Sequence, residues 1–135
     1  MADLTITAAN VKSSSTAQIQ NVQYGEAVDQ GEAVYLKSAD SKYWLADASA
    51  EATAAATGIA LTPNVANGYG VICTSGSMDL GATLSVGAVY VVSATAGKIA
   101  PEADIGSGEY VTVLGVAETA ALLGVDINAS GVAHA

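Results

Sequence analysis

Short runs of alternating hydrophobic and polar positions recur along this chain. Met78, Leu80, Ala82, Leu84 and Val86 alternate without a miss against Asp79, Gly81, Thr83 and Ser85. A period of two predicts a half-buried strand over residues 78–86. Leu4 and Ile6 against Thr5 and Thr7 predict a shorter one over residues 3–7. Residues 33–37 and 42–45 read as strands joined by a turn at 38–41, and residues 58–62 as a strand closed by Pro63. Residues 69–74 form a further strand that Ser75-Gly76-Ser77 turns, and residues 89–93 and 98–100 flank a small-residue turn. Residues 110–117 follow a Gly/Ser loop, and Val125, Ile127 and Ala129 alternate before a weak tail at 130–135. Asn67-Gly68 predicts a type I′ hairpin turn, whose central positions both need φ > 0. The alanine-rich run 46–57 has helix propensity but no large apolar residue to dock a helix, so a short helix and a surface loop both stay open.

The strands repeat. Aligning Gly31–Asp47 with Gly87–Asp104 sets Val34-Tyr35 on Val89-Tyr90, Lys42 on Lys98 and Asp47 on Asp104. Gly58 matches Gly115 at an offset of 57, and Ile72–Gly76 matches Ile127–Gly131 at an offset of 55. The common order points to an internal duplication, with units at about 27–76 and 83–131. The expected fold class is all-β: a small β-sandwich or barrel of short antiparallel strands. Residues 1–24, with polar residues 12–18 and few apolar anchors, predict an extended N-terminal arm ahead of a β domain at 25–135.

Composition narrows the partners. The 135 residues suit one domain, with 51% apolar residues, Gly at 14 positions and no Phe. Thirteen acidic residues face 4 lysines and no arginine, giving a net charge of −9. Phosphate contacts need cations, so a nucleic-acid partner and an anionic membrane surface are both disfavoured. Cys73 is the only cysteine, which rules out an intrachain disulfide. The N-terminus lacks the basic and apolar regions of a signal peptide, and no apolar run approaches a membrane span, so synthesis in a cytosol is expected.

Candidate chemistry is sparse. His134, the sole histidine, stands next to the C-terminus, where a catalytic base would lack a fixed partner. One His and one Cys cannot assemble a nitrogen- and sulfur-ligated metal site, so no metal and no cofactor is expected. Cys73 has few cations to lower its pKa and is expected to be a small buried residue. Asp47 and Asp104 form the best available carboxylate pair, though polar residues at strand ends are commonly structural. The acids lack the spacing of a calcium loop, and Gly106-Ser107-Gly108 lacks the helix start of a phosphate cradle. Catalytic residues are therefore not assigned, and no enzyme activity is expected. Tyr35 and Tyr90, as repeat equivalents, are expected to pack in the sheet. Tyr43-Trp44 has no aromatic counterpart in the second copy and is the better candidate contact.

The run Gly87-x-x-Tyr90, a small-residue turn, Gly97-Lys-Ile-Ala-Pro101-x-Ala-Asp104, then Tyr110–Ala117, resembles the cement (head decoration) proteins of tailed bacteriophages. So does Gly58–Tyr69. The resemblance covers roughly residues 25–128 and carries no catalytic signature. It implies a small all-β homotrimer on the outer surface of the assembled phage head, made in the bacterial host cytoplasm. There it would clamp neighbouring major capsid proteins. The N-terminal segment would supply contacts, with Leu4 and Ile6 as its apolar teeth. Ile19, Tyr43 and Trp44 complete the candidate capsid or subunit contacts. The alternative is a virion fibre or receptor-binding module that meets a glycan through Tyr43-Trp44 or residues 46–57.

Overall fold

The computed structural model describes residues 3–4, 6–14 and 16–133. In chain order the strands are β1 (Lys12–Ser13), β2 (Gln18–Gln23), β3 (Ala33–Lys37), β4 (Lys42–Leu45), β5 (Gly58–Ala60), β6 (Tyr69–Asp79), β7 (Val89–Val92), β8 (Ile99–Pro101), β9 (Tyr110–Ala117) and β10 (Leu122–Ala133). They form a curled antiparallel sheet shaped as a half-barrel. A single helical turn, α1 (Glu51–Ala54), sits in the alanine-rich run, and 3₁₀ turns span Ala8–Asn10 and Glu102–Asp104. The all-β class expected from the sequence is the class observed.

The sheet order is β4-β3-β5-β6-β10-β9-β7-β8. One four-strand path runs outward from each side of the β6–β10 junction: a hairpin, then a third strand beside the hairpin's first, then a fourth beside the third. The ladders align the halves differently from the letters. Val34 pairs with Gly58 and Tyr90 with Gly115, so Val34 corresponds to Tyr90 instead of Val89. Ala60 pairs with Ile72 and Ala117 with Leu123, so Ile72 corresponds to Leu123 instead of Ile127. The second half is also less regular, with register shifts between Tyr90 and Val91 and between Val125 and Asn128.

Burial follows the pleat. Ile59 and Cys73 turn into the main core with Met78, Leu80, Leu84, Tyr90, Ile99, Leu114 and Leu123. Their neighbours Ala60 and Ile72 turn the other way, into a second cluster with Val22, Tyr24, Val28, Val34 and Tyr43. The first half is thus buried on both faces. Tyr24 closes its far side, bridging Tyr43 of β4 and donating its phenol to Thr62 O at 2.8 Å. The α1 segment straps the two halves together: Ala48 N–H donates to Ser93 O at 2.9 Å, and Tyr110 N–H to Ala48 O at 2.8 Å.

Several local expectations are corrected. Among the described residues of the strand expected over 3–7, Asp3, Leu4, Ile6 and Thr7 belong to no strand, and Thr5 lies outside the described residues; Leu4 N–H donates to Ile99 O and Thr7 N–H to Gly81 O. Ser75-Gly76-Ser77 does not end a strand. β6 continues through it, with Gly76 at φ 85° packed close against the Thr16 backbone. The strand expected over residues 78–86 stops at Asp79, where β6 ends, although Leu80 and Leu84 are buried as the alternation requires. Asn67-Gly68 makes no type I′ turn. Only Asn67 has positive φ, at 69°, and Gly68 N–H closes the turn onto Val65 O at 2.9 Å. The tail expected beyond residue 129 continues β10 as far as Ala133.

The strands of the N-terminal segment lie along the body. β1 and β2 run antiparallel to β6, pairing Lys12 with Asp79 and, farther on, Gln23 with Tyr69. Together they cover the edge of β6 opposite β10 and β5. Main-chain hydrogen bonding holds this polar stretch, which explains why its side chains gave no strand pattern.

Candidate interaction surface

The candidate contacts separate into buried and exposed groups. Leu4 and Ile6 are half-buried and pack on the main core, with Ile6 lying over Gly31. Tyr43 is only 9% exposed and belongs to the second core cluster, so little of it is open for a contact. Strand alternation puts it on the same face as Leu45, opposite Val34 and Leu36 of β3. Gln20 reaches its hydroxyl, with Nε2 3.3 Å away. Ile19, by contrast, is 61% exposed on β2.

Trp44 is half-buried, and its ring is engaged by its own chain. It lies where any Cβ on Gly25 would fall 2.2 Å from the indole, and Lys37 Nζ stands 4.4 Å from a ring centroid. The indole N–H donates to Asp40 Oδ2 at 3.1 Å. Drawing Asp40 out of water works to raise its pKa. The Lys42 backbone N–H, the indole N–H and the charges of Lys37 and Lys42 outweigh that, and the carboxyl titrates below its ordinary value. A ring held this way offers little open face for stacking on a sugar.

The carboxylates are structural where their partners can be traced. Asp47 Oδ1 accepts from Ser49 N–H at 3.0 Å and from Thr53 Oγ1 at 3.1 Å, fixing the start of the α1 segment. Asp104 lies in the 3₁₀ turn Glu102–Asp104, apart from any such network. Burial pushes the Cys73 thiol above its ordinary pKa, against a weaker opposing effect of the Ser75 backbone, as expected for an inert core cysteine. Among the described residues no group of three or more His, Cys, Asp or Glu could hold a metal ion. His134 lies outside the described residues.

Among the clefts on the surface two are sizeable. One, of about 500 Å³, lies where Thr7, Asn10 and Lys12 face Asp79, Gly81 and Thr83. The other, of about 440 Å³, runs between Glu51 and Ala54 on one side and Thr112, Ala129 and Gly131 on the other. Neither gathers a nucleophile and a base.

The feature that sequence reasoning missed is the turn between β5 and β6. Val65 and Tyr69 stand 67% and 73% exposed on it. Its shape is fixed from within: Asn64 Nδ2 donates to Tyr69 O at 3.0 Å, and Asn64 Oδ1 accepts from Val65 N–H at 2.8 Å. From outside, Tyr24 O accepts from Asn67 N–H at 2.8 Å and Gln23 Nε2 donates to Asn67 O at 3.0 Å. In the sequence Asn64 and Asn67 signal a turn, but nothing there marks the exposure of Val65 between them. No protein-family model matches the chain, and neither a curated protein nor a solved structure is significantly similar to it.

Proposed function

We infer that this chain is a structural protein of a tailed-phage virion, a cement protein that binds the outside of the assembled head as a homotrimer and clamps neighbouring major capsid proteins. The observation that carries this reading is the turn bearing Val65 and Tyr69. It falls within Gly58–Tyr69, one of the two runs that resemble the cement family, and it presents two large apolar side chains from a backbone braced on both sides. Exposed apolar groups on a rigid mount suit a protein contact, because little entropy is lost when they are covered. The net charge of −9 keeps free copies apart in solution before they assemble. Three copies closed by rotation would convert modest single contacts into strong attachment, by about 10² to 10⁴-fold.

The test is co-sedimentation with undecorated tailed-phage heads at micromolar concentration. The native chain should pellet with the heads, and the double variant Val65→Ser/Tyr69→Ser should remain largely in the supernatant while staying folded. A native chain that never pellets sinks the cement reading. A double variant that pellets like the native chain moves the contact elsewhere on the surface.

A further inference from the structure

Main-chain groups along β2 point alternately towards β6 and away from it. The residues just beyond the strand reveal which do which. Tyr24 N–H donates to Gly68 O at 2.9 Å and Tyr24 O accepts from Asn67 N–H at 2.8 Å, so Tyr24 faces the β6 side. Gly25 N–H donates to Tyr43 O at 2.8 Å, on the side of β4. Counting back in twos, Ile19 and Asn21 turn their N–H and C=O groups away from β6. β4 occupies this outer edge at Tyr24. At the other end the chain leaves the edge through a turn in which Ala17 N–H donates to Ser14 O at 3.2 Å. Between these closed ends Ile19 and Asn21 hold an open edge, with residues 18–21 all exposed.

We propose that this edge binds the same edge of a second copy, antiparallel, across a twofold axis at Gln20. Centred there, Ile19 of each copy lies opposite Asn21 of the other, and each pair exchanges both outward main-chain hydrogen bonds. A register that set Ile19 on Ile19 would bring Ala17, whose N–H is already donated to Ser14, against Asn21.

Charge selects a copy of the chain as the occupant. Most self-contacts of a protein with net charge −9 set carboxylate against carboxylate, yet residues 13–25 carry no charge at all. The side-chain amides of Gln18 and Asn21 can each donate and accept, and those of Gln20 and Gln23, whose Nε2 groups reach Tyr43 and Asn67, keep their oxygens as acceptors, so this stretch complements its own image. It also lacks the lysine, the proline and the inward charge by which edge strands normally refuse a partner. The contact is isologous and closes after two copies. Being short, it joins copies that are concentrated or already held side by side.

Disulfide trapping tests this pairing, because the edge contact places the two Gln20 Cα atoms about 4.5 Å apart, within the reach of a disulfide. Gln20→Cys, oxidised at high protein concentration, should form a covalent dimer at least tenfold faster than Ala96→Cys, an exposed control in the β7–β8 turn. Adding Asn21→Pro, which removes an outward N–H without touching the β6 ladder, should abolish the trapping. Adding Ile19→Lys, which places like charges across the contact, should do the same and covers the case in which the proline variant fails to fold. Equal rates for the two cysteine variants overturn the proposal, as does trapping that survives both added substitutions. A foreign strand bound at this edge would give that negative result.

Discussion

Lys42 Nζ donates to Asn67 Oδ1 at 2.6 Å, tying the β3–β4 hairpin to the turn that carries Val65 and Tyr69. Asn67 serves the turn twice, through this side-chain bond and through its positive φ of 69°. Left-handed backbone costs most side chains roughly 1–2 kcal/mol, while Gly and Asn tolerate it. Asn67→Ala should therefore lower stability by about 1–2 kcal/mol, and Asn67→Gly by a few tenths at most. Urea unfolding followed by Trp44 fluorescence measures both. Equal losses in the two variants would assign the effect to the Lys42 bond instead of the backbone.

Gly76 and Gly87 share a positive φ, 85° and 80°, but not a neighbourhood. A Cβ on Gly76 would lie 2.2 Å from Thr16 O, on the backbone of the N-terminal segment, whereas one on Gly87 meets nothing within 4 Å. Gly87→Ala should cost only the strain, about 1–2 kcal/mol. Gly76→Ala should cost more and should also lift the segment between β1 and β2 from β6. Limited proteolysis reads this directly, as new cleavage within residues 12–18 in Gly76→Ala and none in Gly87→Ala.

Much of this fold was legible in the sequence, and the failures share a cause. β3, β4 and β9 appear within the expected bounds, and β7 within a residue of them, because β-branched and aromatic residues concentrate there between small-residue turns. Residues 80–86 show the limit of alternation. Leu80 and Leu84 are buried, but Leu80 N–H reaches Ala121 O and Leu84 N–H reaches Ala120 O in isolation, with no ladder between them. Side-chain pattern reports which face is covered, while strand pairing depends on whether a neighbour's backbone runs alongside. For the same reason β2 was invisible: its partner is β6, some 50 residues away, and 4 of its 6 side chains are amides. Among the candidate contacts Ile19 is exposed, and Tyr43 is buried in the core although Leu36, its ladder partner on the same face, stays 46% exposed.

The buried leucines of that unpaired stretch should behave as core residues despite the missing ladder. Leu84 is 4% exposed and Val86 70% exposed, though both fall on the same alternating set. Leu84→Ala should destabilise by about 2–5 kcal/mol through lost packing and a cavity. Val86→Ala should stay within about 0.5 kcal/mol. Chemical denaturation of the two variants decides it, and similar values would mean that the segment does not hold its register.

Alkaline pH should weaken the protein through two buried groups. Burial raises the Tyr24 phenol above its ordinary 10.0, with the Thr62 side chain acting the other way. Burial likewise raises the Cys73 thiol above its ordinary 9.0. In both cases the folded state holds its proton more tightly than the unfolded state. Unfolding then releases protons at high pH, and stability must fall as pH rises. The contribution is intact below 9.0 for Cys73 and below 10.0 for Tyr24, and is lost as pH climbs through the folded values. Tyr24→Phe separates the two effects. At neutral pH it removes one hydrogen bond and should cost about 1 kcal/mol. Above pH 10.0 the native chain also pays for ionising a phenol that the variant lacks, so the gap between them should shrink or reverse. Urea titrations of both proteins at neutral pH and above 10.0 measure that gap, and a gap that stays constant would place the Tyr24 hydroxyl in contact with water.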